Sequence, residues 1–324
     1  MEGYKIKSKK QFLDEIVETS EELLNKAVTD KSNAYKKYTK KKASGKRELY
    51  AINKSHSLYS IQKKLENTFF INFLFPECVC GFRKRKSYYD FLIPHISNET
   101  STYYLRLDIS DFFGSIQIED IKEALSYYFI EDLSIEDKKW IIASIIDITT
   151  LNDKIIQGAI TSPTVSNLIF RSLDIRIEKY CKKMGIVYTR YADDMLFSSK
   201  SSYVHNYKFK NMIKTIIMDK GFSINNKKTL MYKNEISLNG YVIGCDIRLS
   251  RKKLKTINEL IYEMEKRNFT GFKSTRKKYI CKNLLAGYRA FLIQSISYVN
   301  IQNTQKLKMK IEKIETLILK YCIE

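Results

Sequence analysis

The chain has 324 residues, 44% of them hydrophobic and 13% aromatic, which excludes a disordered tail and suits two or three subdomains around a sizeable core. Lys and Arg number 57 against 36 Asp and Glu, a net charge of +21; such an excess points to a polyanionic partner, because neutralising phosphates releases condensed counterions, with a Lys-rich solvated surface as the plainer alternative. Six cysteines without C-x-x-C spacing and three histidines give no zinc-site pattern, the charged start from Met1 to Phe12 has no signal core, and the apolar window Phe69 to Phe82 is broken by Asn72, Pro76 and Glu77, so no membrane span and a reduced cytoplasm are expected.

Residues 8–28 place Phe12, Ile16, Leu23 and Leu24 among charges and predict a helical N-terminal arm, assigned to 1–33. Ala34 to Thr39 and Arg47 to Ile52 read as two strands joined by a turn at Ala43-Ser44-Gly45, a hairpin with a strongly basic tip. Leu58 to Phe75 has helical spacing, Cys78-Val79-Cys80 reads as one strand face of packed thiols, and Gly81 to Ser87 is a basic loop. Tyr103 to Ile109 is strand-like and carries Asp108 near its end. Ile118 to Phe129 and Ser134 to Ile148 read as amphipathic helices. Thr161-Ser162-Pro163 opens another that reaches about Lys182, with a hydroxyl cap and Pro in the first turn.

Tyr191-Ala192-Asp193-Asp194 lies between two apolar runs and predicts a tight hairpin whose tip lets both acids converge on cations. A helix over 207–220 stopped by Gly221, strands over 224–232 and 236–242, and a basic helical tail after Leu249 with a break at Gly271 complete the order. The fold class is α+β, an antiparallel sheet with helices on one face. Adjacent acids in a turn are ordinary turn chemistry by themselves. A third carboxylate, Asp108, at the end of a neighbouring strand makes the set that a two-magnesium phosphoryl-transfer site needs. Asp111 reads as a turn or helix cap.

In order along the chain, Asp108-Ile109-Ser110-Asp111-Phe112-Phe113, Gln157-Gly158-Ala159 with Ser162-Pro163 and Ser166-Asn167, Tyr191 to Asp194, Gly221-Phe222 to Lys228-Thr229, and Leu238-Asn239-Gly240-Tyr241 resemble the successive motifs of reverse transcriptases. The resemblance implies a right-hand polymerase: fingers over 34–105, a palm over 106–245 with a helical insertion at about 118–160, and a helical thumb over 246–324. Asp108 and Asp193 would hold two Mg2+ ions about 3.5–4 Å apart, with Asp194 adding charge and, like the Ile109 backbone, a further ligand. Phe113 would sit beneath the incoming sugar and select deoxynucleotides. Gln157 and Gly158 would meet the nascent base pair. Arg47 and Lys41 would hold the triphosphate, Arg47 being the better suited to bidentate contact, and Lys228 would approach the leaving pyrophosphate.

Nucleic acid would be held by Arg83 and Arg85, Tyr191, Gly240 at the primer grip, and the thumb clusters Arg251-Lys252-Lys253 and Arg276-Lys277-Lys278. Leu307, Ile311, Ile314, Ile318 and Tyr321 recur at helical spacing as a core stripe of the thumb. The compact length, with no room after the thumb for further domains, resembles the retron type, as do Ile186 to Asp194 and Gly81 to Ser87. His95 and Gly240 stand where that type carries longer elements. The type implies a structured non-coding RNA as template and primer, 2′-hydroxyl priming, a branched RNA–DNA product with single-stranded DNA, and a separate effector protein in phage defence. Another bacterial reverse transcriptase lineage, and a basic RNA-binding scaffold with a vestigial site, remain as alternatives.

Overall fold

The computed structural model describes residues 4–42, 45–98, 101–266, 275–296 and 301–322, apart from the side chains at 41, 42, 45–47, 275–281, 301–303, 321 and 322. Polar caps set the helix boundaries. Ser8 accepts from the Gln11 amide and starts α1 (Lys9–Gln11), which runs into a π-helical turn at Phe12–Ile16. Glu18, at φ +49°, ends it, and Ser20 caps α2 (Glu21–Thr29). The expected arm is therefore two helical pieces. Strands β1 (Tyr35–Lys42) and β2 (Gly45–Ile52) form the basic hairpin, with Lys40 across from Arg47 and Lys41 across from Lys46.

Helix α3 (Ser57–Thr68) stops short of the expected Phe75. The chain there tightens into a 3-10 turn, because Phe69 and Phe73 turn inward to pack on the Tyr128 ring. After α4 (Tyr88–Leu92) come β3 (Tyr103–Asp108), α5 (Ile118–Leu125), α6 (Ile135–Thr149) and α7 (Ser162–Lys183). The hydroxyl cap expected at Thr161 is not made: its Oγ1 is buried with no hydrogen-bond partner among the described residues, and Ser162 Oγ donates to the Ile156 carbonyl instead. Strands β4 (Val187–Tyr191) and β5 (Asp194–Ser199) form the expected hairpin, followed by α8 (Tyr207–Met218).

The segment expected as a strand over 224–232 is largely a turn. Ile224 makes an isolated antiparallel bridge with Ile109, Asn226–Lys228 forms a 3-10 turn closed by the Lys228 amide on the Asn225 carbonyl, and β6 (Leu230–Lys233) follows as the named strand. The run over 236–242 is likewise two strands, β7 (Ile236–Leu238) and β8 (Tyr241–Ile243), folded at Asn239 and Gly240, both at positive φ. Then come β9 (Ile247–Leu249), α9 (Arg251–Lys266), α10 (Thr275–Ile296) and α11 (Ile301–Cys322). The expected break at Gly271 lies outside the described residues. On α11 the buried face runs through Leu307, Ile311, Ile314 and Leu317. Ile318 is only half-buried, so a single-residue shift in phase replaces it with Leu317.

The strands assemble as β1-β2, β4-β5-β3-β6 and β7-β8-β9, and the first and third sheets are antiparallel. The mixture of helices with antiparallel sheets is the expected class. Two compact units emerge, one from Met1–Phe91, Leu105–Phe197 and Tyr203–Leu230, the other from Leu92–Tyr104, Ser198–Ser202 and Met231–Glu324. The first buries Phe112, Phe170 and Phe222 as a mutually packed ring cluster. Cys78 and Cys80 are buried free thiols, joined to β4 through an isolated bridge at Val79 rather than by a strand. No helix among the described residues is long and apolar enough to cross a membrane.

Candidate active site

Backbone hydrogen bonds bring the acids together. The Ile109 amide donates to the Asp193 carbonyl at 2.9 Å, and the Arg190 amide donates to the Cys78 carbonyl at 2.7 Å while its own carbonyl accepts from Cys80. Between β4 and β5 the turn passes through Ala192 at φ +56°, a conformation most side chains avoid. Arg190 holds it there. Fully buried, its Nε and Nη2 donate to the two oxygens of Asp174 at 2.8 and 2.6 Å, and Nη1 donates to the Ala192 carbonyl at 3.0 Å. The guanidinium centre lies 4.5 Å over the Phe170 ring.

A cleft of about 520 Å³ opens beside this turn, lined by Asp108, Ile109, Phe113, Gln157, Asp193 and Lys228, with Tyr50, Phe82 and Asn225. Six of the residues expected at the site thus meet at one cavity. Asp108 is 2% exposed, and Lys228 Nζ donates to both its oxygens, at 2.8 and 2.9 Å. Phe113 lies edge-on to Phe112 and 6.1 Å from the Phe82 ring.

Asp194 does not line the cleft. It starts β5, is 8% exposed, and accepts from Arg106 Nε at 2.9 Å and from Arg106 Nη2. Burial raises its pKa, and the Arg106 charge and hydrogen bond pull against that rise. Arg106 stands two residues before Asp108, on the same side of β3, and its Nη2 is 3.6 Å from Asp108 Oδ2. One guanidinium therefore spans two of the three acids.

Gly158 is also outside the cleft lining. At φ +122° it lies against β2, where an added Cβ would collide with the Tyr50 carbonyl, and the neighbouring Gln157 carbonyl accepts from the Tyr50 amide. Its bare Cα serves contact between protein segments. Arg106, Arg190 with Asp174, Tyr50 and Asn225 were not legible as site residues. Each acts through a partner distant in sequence, and only a charged residue inside an apolar strand, as at Arg106 and Arg190, offered a signal.

Among the described residues no group of three or more His, Cys, Asp and Glu could hold a metal ion. The donors at the cleft nonetheless fit Mg2+, which is usually bound through one or two carboxylates plus waters and substrate phosphates. Asp108 and Asp193 are among the carboxylates that line the cleft.

The sequence profile of the reverse transcriptase (RNA-dependent DNA polymerase) family matches residues 39–274. The chain belongs to this family. It is similar to the Retron Ec86 reverse transcriptase of Escherichia coli, at 28% identity over 72% of this chain and 67% of that one. It is also similar to the Retron Se72 reverse transcriptase of Salmonella heidelberg, at 24% identity over 74% and 63%. The chain therefore spans about two thirds of the length of these relatives. Among solved structures, an apo telomerase from Candida tropicalis aligns with 89% of this chain and 56% of its own, at 11% identity and a TM-score of 0.49.

The remaining residues expected to bind nucleic acid in this reverse transcriptase are dispersed. Arg83 folds back, donating to the Pro76 and Val79 carbonyls, whereas Arg85 is exposed. The Tyr191 ring packs edge-on against Tyr88. In the second unit, Arg251 and Lys252 are exposed on the first turn of α9, while Lys253 Nζ sits over the Tyr288 and Phe291 rings and its stem abuts Gly240. Cations at a helix N-terminus oppose the helix dipole, so Arg251 and Lys252 are placed at a cost that an anionic ligand would offset. The side chains of Lys41, Arg47, Arg276, Lys277 and Lys278 lie outside the described ones.

Proposed function

We propose that this reverse transcriptase is an RNA-directed DNA polymerase of retron type, copying a structured non-coding RNA into single-stranded DNA from deoxynucleoside triphosphates. The observation that carries the reading is the convergence of Asp108, Asp193, Phe113, Gln157 and Lys228 on one cleft. In this reading β1–β2 belongs to the fingers, the sheet around Asp108 to the palm, and α9–α11 to the thumb.

Asp108, Asp193 and the Ile109 backbone would hold divalent cations, which when bound lower the pKa of the attacking hydroxyl and stabilise the leaving oxygen. The chain's own groups do the positioning. Phe113 walls the cleft, and a sugar lying against its ring would meet it at the 2′ position. Gln157 presents an amide that can donate to and accept from a base or sugar. Lys228, bonded to both Asp108 oxygens, carries its charge on a flexible stem that could turn to neutralise the departing pyrophosphate. Asp194, clamped by Arg106, orients the turn that carries Asp193. Exposed Arg251 and Lys252 would contact duplex backbone without reading sequence. Priming from a 2′-hydroxyl, a branched product, a separate effector protein, a role in defence and a cytoplasmic site are proposed from the retron likeness.

The test is expression with the native flanking DNA beside an Asp193→Asn/Asp194→Asn control, followed by extraction of total nucleic acid. The expected result is a discrete short single-stranded DNA, present only with intact acids, whose mobility shifts on debranching. If that DNA is missing while purified enzyme extends a DNA primer on generic RNA, the retron assignment falls and the polymerase stands. Absence of synthesis in both assays would leave an RNA-binding scaffold.

A further inference from the structure

Arg106 stands on β3 between two buried leucines, Leu105 and Leu107, and β3 itself lies between β5 and β6 in the four-stranded sheet. A cation in such a place needs a partner, because burying an unpaired charge is costly. Nε and Nη2 both donate to one oxygen of Asp194, Oδ1. Two residues on and along the same face, Asp108 Oδ2 is 3.6 Å from Nη2, beyond a hydrogen bond but close enough for the charges to interact. A guanidinium stays charged at any pH at which the protein folds, and its planar fork holds one geometry. Arg106 is therefore a fixed positive charge inside the acid cluster, whereas the charge that Lys228 brings to Asp108 rides on a flexible stem.

The two adjacent acids of the turn are thereby set apart. Asp193 is half-buried and lines the reaction cleft, and its backbone carbonyl accepts from the Ile109 amide. Asp194 is buried outside the cleft lining, with its carboxylate engaged by Arg106. A carboxylate paired with arginine in a poorly solvated place gives up that partner only at a cost. To bind a cation, Asp194 would have to leave the guanidinium unpaired beside Asp108, where it would repel the same cation.

We propose that Arg106 withholds Asp194 from the cation-binding set, so that divalent cations at the cleft are held through Asp108 and Asp193 while Asp194 stays neutralised by the guanidinium. The proposal rests on the polymerase reading above. It makes Arg106 a positioning residue that sets how tightly the cleft binds cations. Together Arg106 and Asp194 add no net charge to the site. Either one alone does: an unpaired guanidinium repels a divalent cation, and an unpaired carboxylate attracts it. The ion pair therefore behaves toward a cation as a neutral pair of side chains would.

The test titrates Mn2+ into full-length protein without nucleic acid, read by paramagnetic resonance, and measures addition of one nucleotide to a primer separately. Arg106→Gln removes the charge and should bind Mn2+ about tenfold more tightly. Loss of folded structure would weaken binding, so tightening cannot come from damage to the turn. Arg106→Gln/Asp194→Asn replaces the ion pair with two neutral amides and should bind within about twofold of wild type; if Arg106→Gln does not fold, this variant carries the test. Arg106→Lys, which keeps the charge, should also stay near wild type. Asp193→Asn should weaken binding by at least about tenfold. A double variant that loses about tenfold or more would make Asp194 a ligand and overturn the proposal. Arg106→Gln binding no tighter than wild type, or Asp193→Asn binding just as tightly, overturns it too. Nucleotide addition by wild type without the tightening removes the role of Arg106 alone, whereas the tightening without nucleotide addition leaves that role and removes the polymerase reading.

Discussion

Arg106 and Asp194 are 88 residues apart in sequence and share a charge-assisted hydrogen bond, Nε to Oδ1, at 2.9 Å. Asp194 is nearly buried, so removing the guanidinium strands a carboxylate in a poorly solvated site. Truncating one partner of a buried pair costs about 3–5 kcal/mol. Because the Arg106 side chain retains 18% exposure, Arg106→Met should fall near the lower end, about 3 kcal/mol. Asp194→Asn removes the charge and keeps an acceptor, so it should cost only about 1 kcal/mol. Urea unfolding of the two variants measures the difference. Equal losses would show that the pair does not anchor the turn.

Arg190 and Asp174 form the second buried pair, deeper than the first. Arg190→Lys keeps the charge but loses the fork that reaches both Asp174 oxygens and the Ala192 carbonyl. The expected result is a loss of about 3 kcal/mol or more in stability and at least a tenfold drop in kcat on whatever folds. The KM for nucleotide should move little, because Arg190 does not line the cleft. A rise in KM with kcat unchanged would remove Arg190 as the positioner of Asp193.

The sequence signals that succeeded were local ones. An apolar run, a two-residue acidic tip and a second apolar run define the β4–β5 hairpin within about ten residues. The helix starting at Ser162 is legible from the Pro in its first turn. What escaped depended on the fold. A single strand over 224–232 fails at Asn226–Lys228, where a 3-10 turn closed by the Lys228 amide on the Asn225 carbonyl separates the Ile224 bridge to Ile109 from β6. Asp194 reads in the sequence as added charge beside Asp193, and only the arrival of Arg106 from β3 shows what holds it. Gly158 suggested approach to a ligand, whereas the close neighbour is Tyr50 on a strand more than a hundred residues earlier.

Lys228 occupies both oxygens of Asp108 in the free protein. A divalent cation must compete with that ammonium for the carboxylate. Lys228→Ala should therefore bind Mn2+ several-fold more tightly in the absence of substrate, while kcat falls by about a hundredfold through loss of charge neutralisation on the leaving group. Manganese paramagnetic resonance and single-turnover extension give the two readouts. Weaker Mn2+ binding in the variant would contradict the competition.

In the proposed reading Phe113, which lines the cleft, would exclude a 2′-hydroxyl by bulk. Phe113→Ala should open space in the cleft wall and raise incorporation of ribonucleotides relative to deoxynucleotides by at least about tenfold, because a clash is removed without adding any favourable contact. Paired kcat/KM measurements on matched triphosphates test this. An unchanged ratio would place the sugar elsewhere.

His95, in the second unit, gives the fold a dependence on pH. It is 1% exposed, its Nδ1 lies 2.7 Å from Ser198 Oγ, and its carbonyl accepts from the Tyr104 hydroxyl. Burial pushes its pKa from 6.5 down to about 3. Between those values the unfolded chain binds a proton that the folded chain does not. The stability that rests on neutral His95 is thus complete above pH 6.5 and is lost as pH falls toward 3, at up to about 1.4 kcal/mol per pH unit. Over the step from pH 7 to pH 5, wild type should lose about 2 kcal/mol more than His95→Asn, whose side chain does not titrate. Urea unfolding at both pH values for both proteins isolates this group from all the others that protonate in the same range. Parallel losses in the two proteins would mean that His95 is solvated, or already protonated, in the native state.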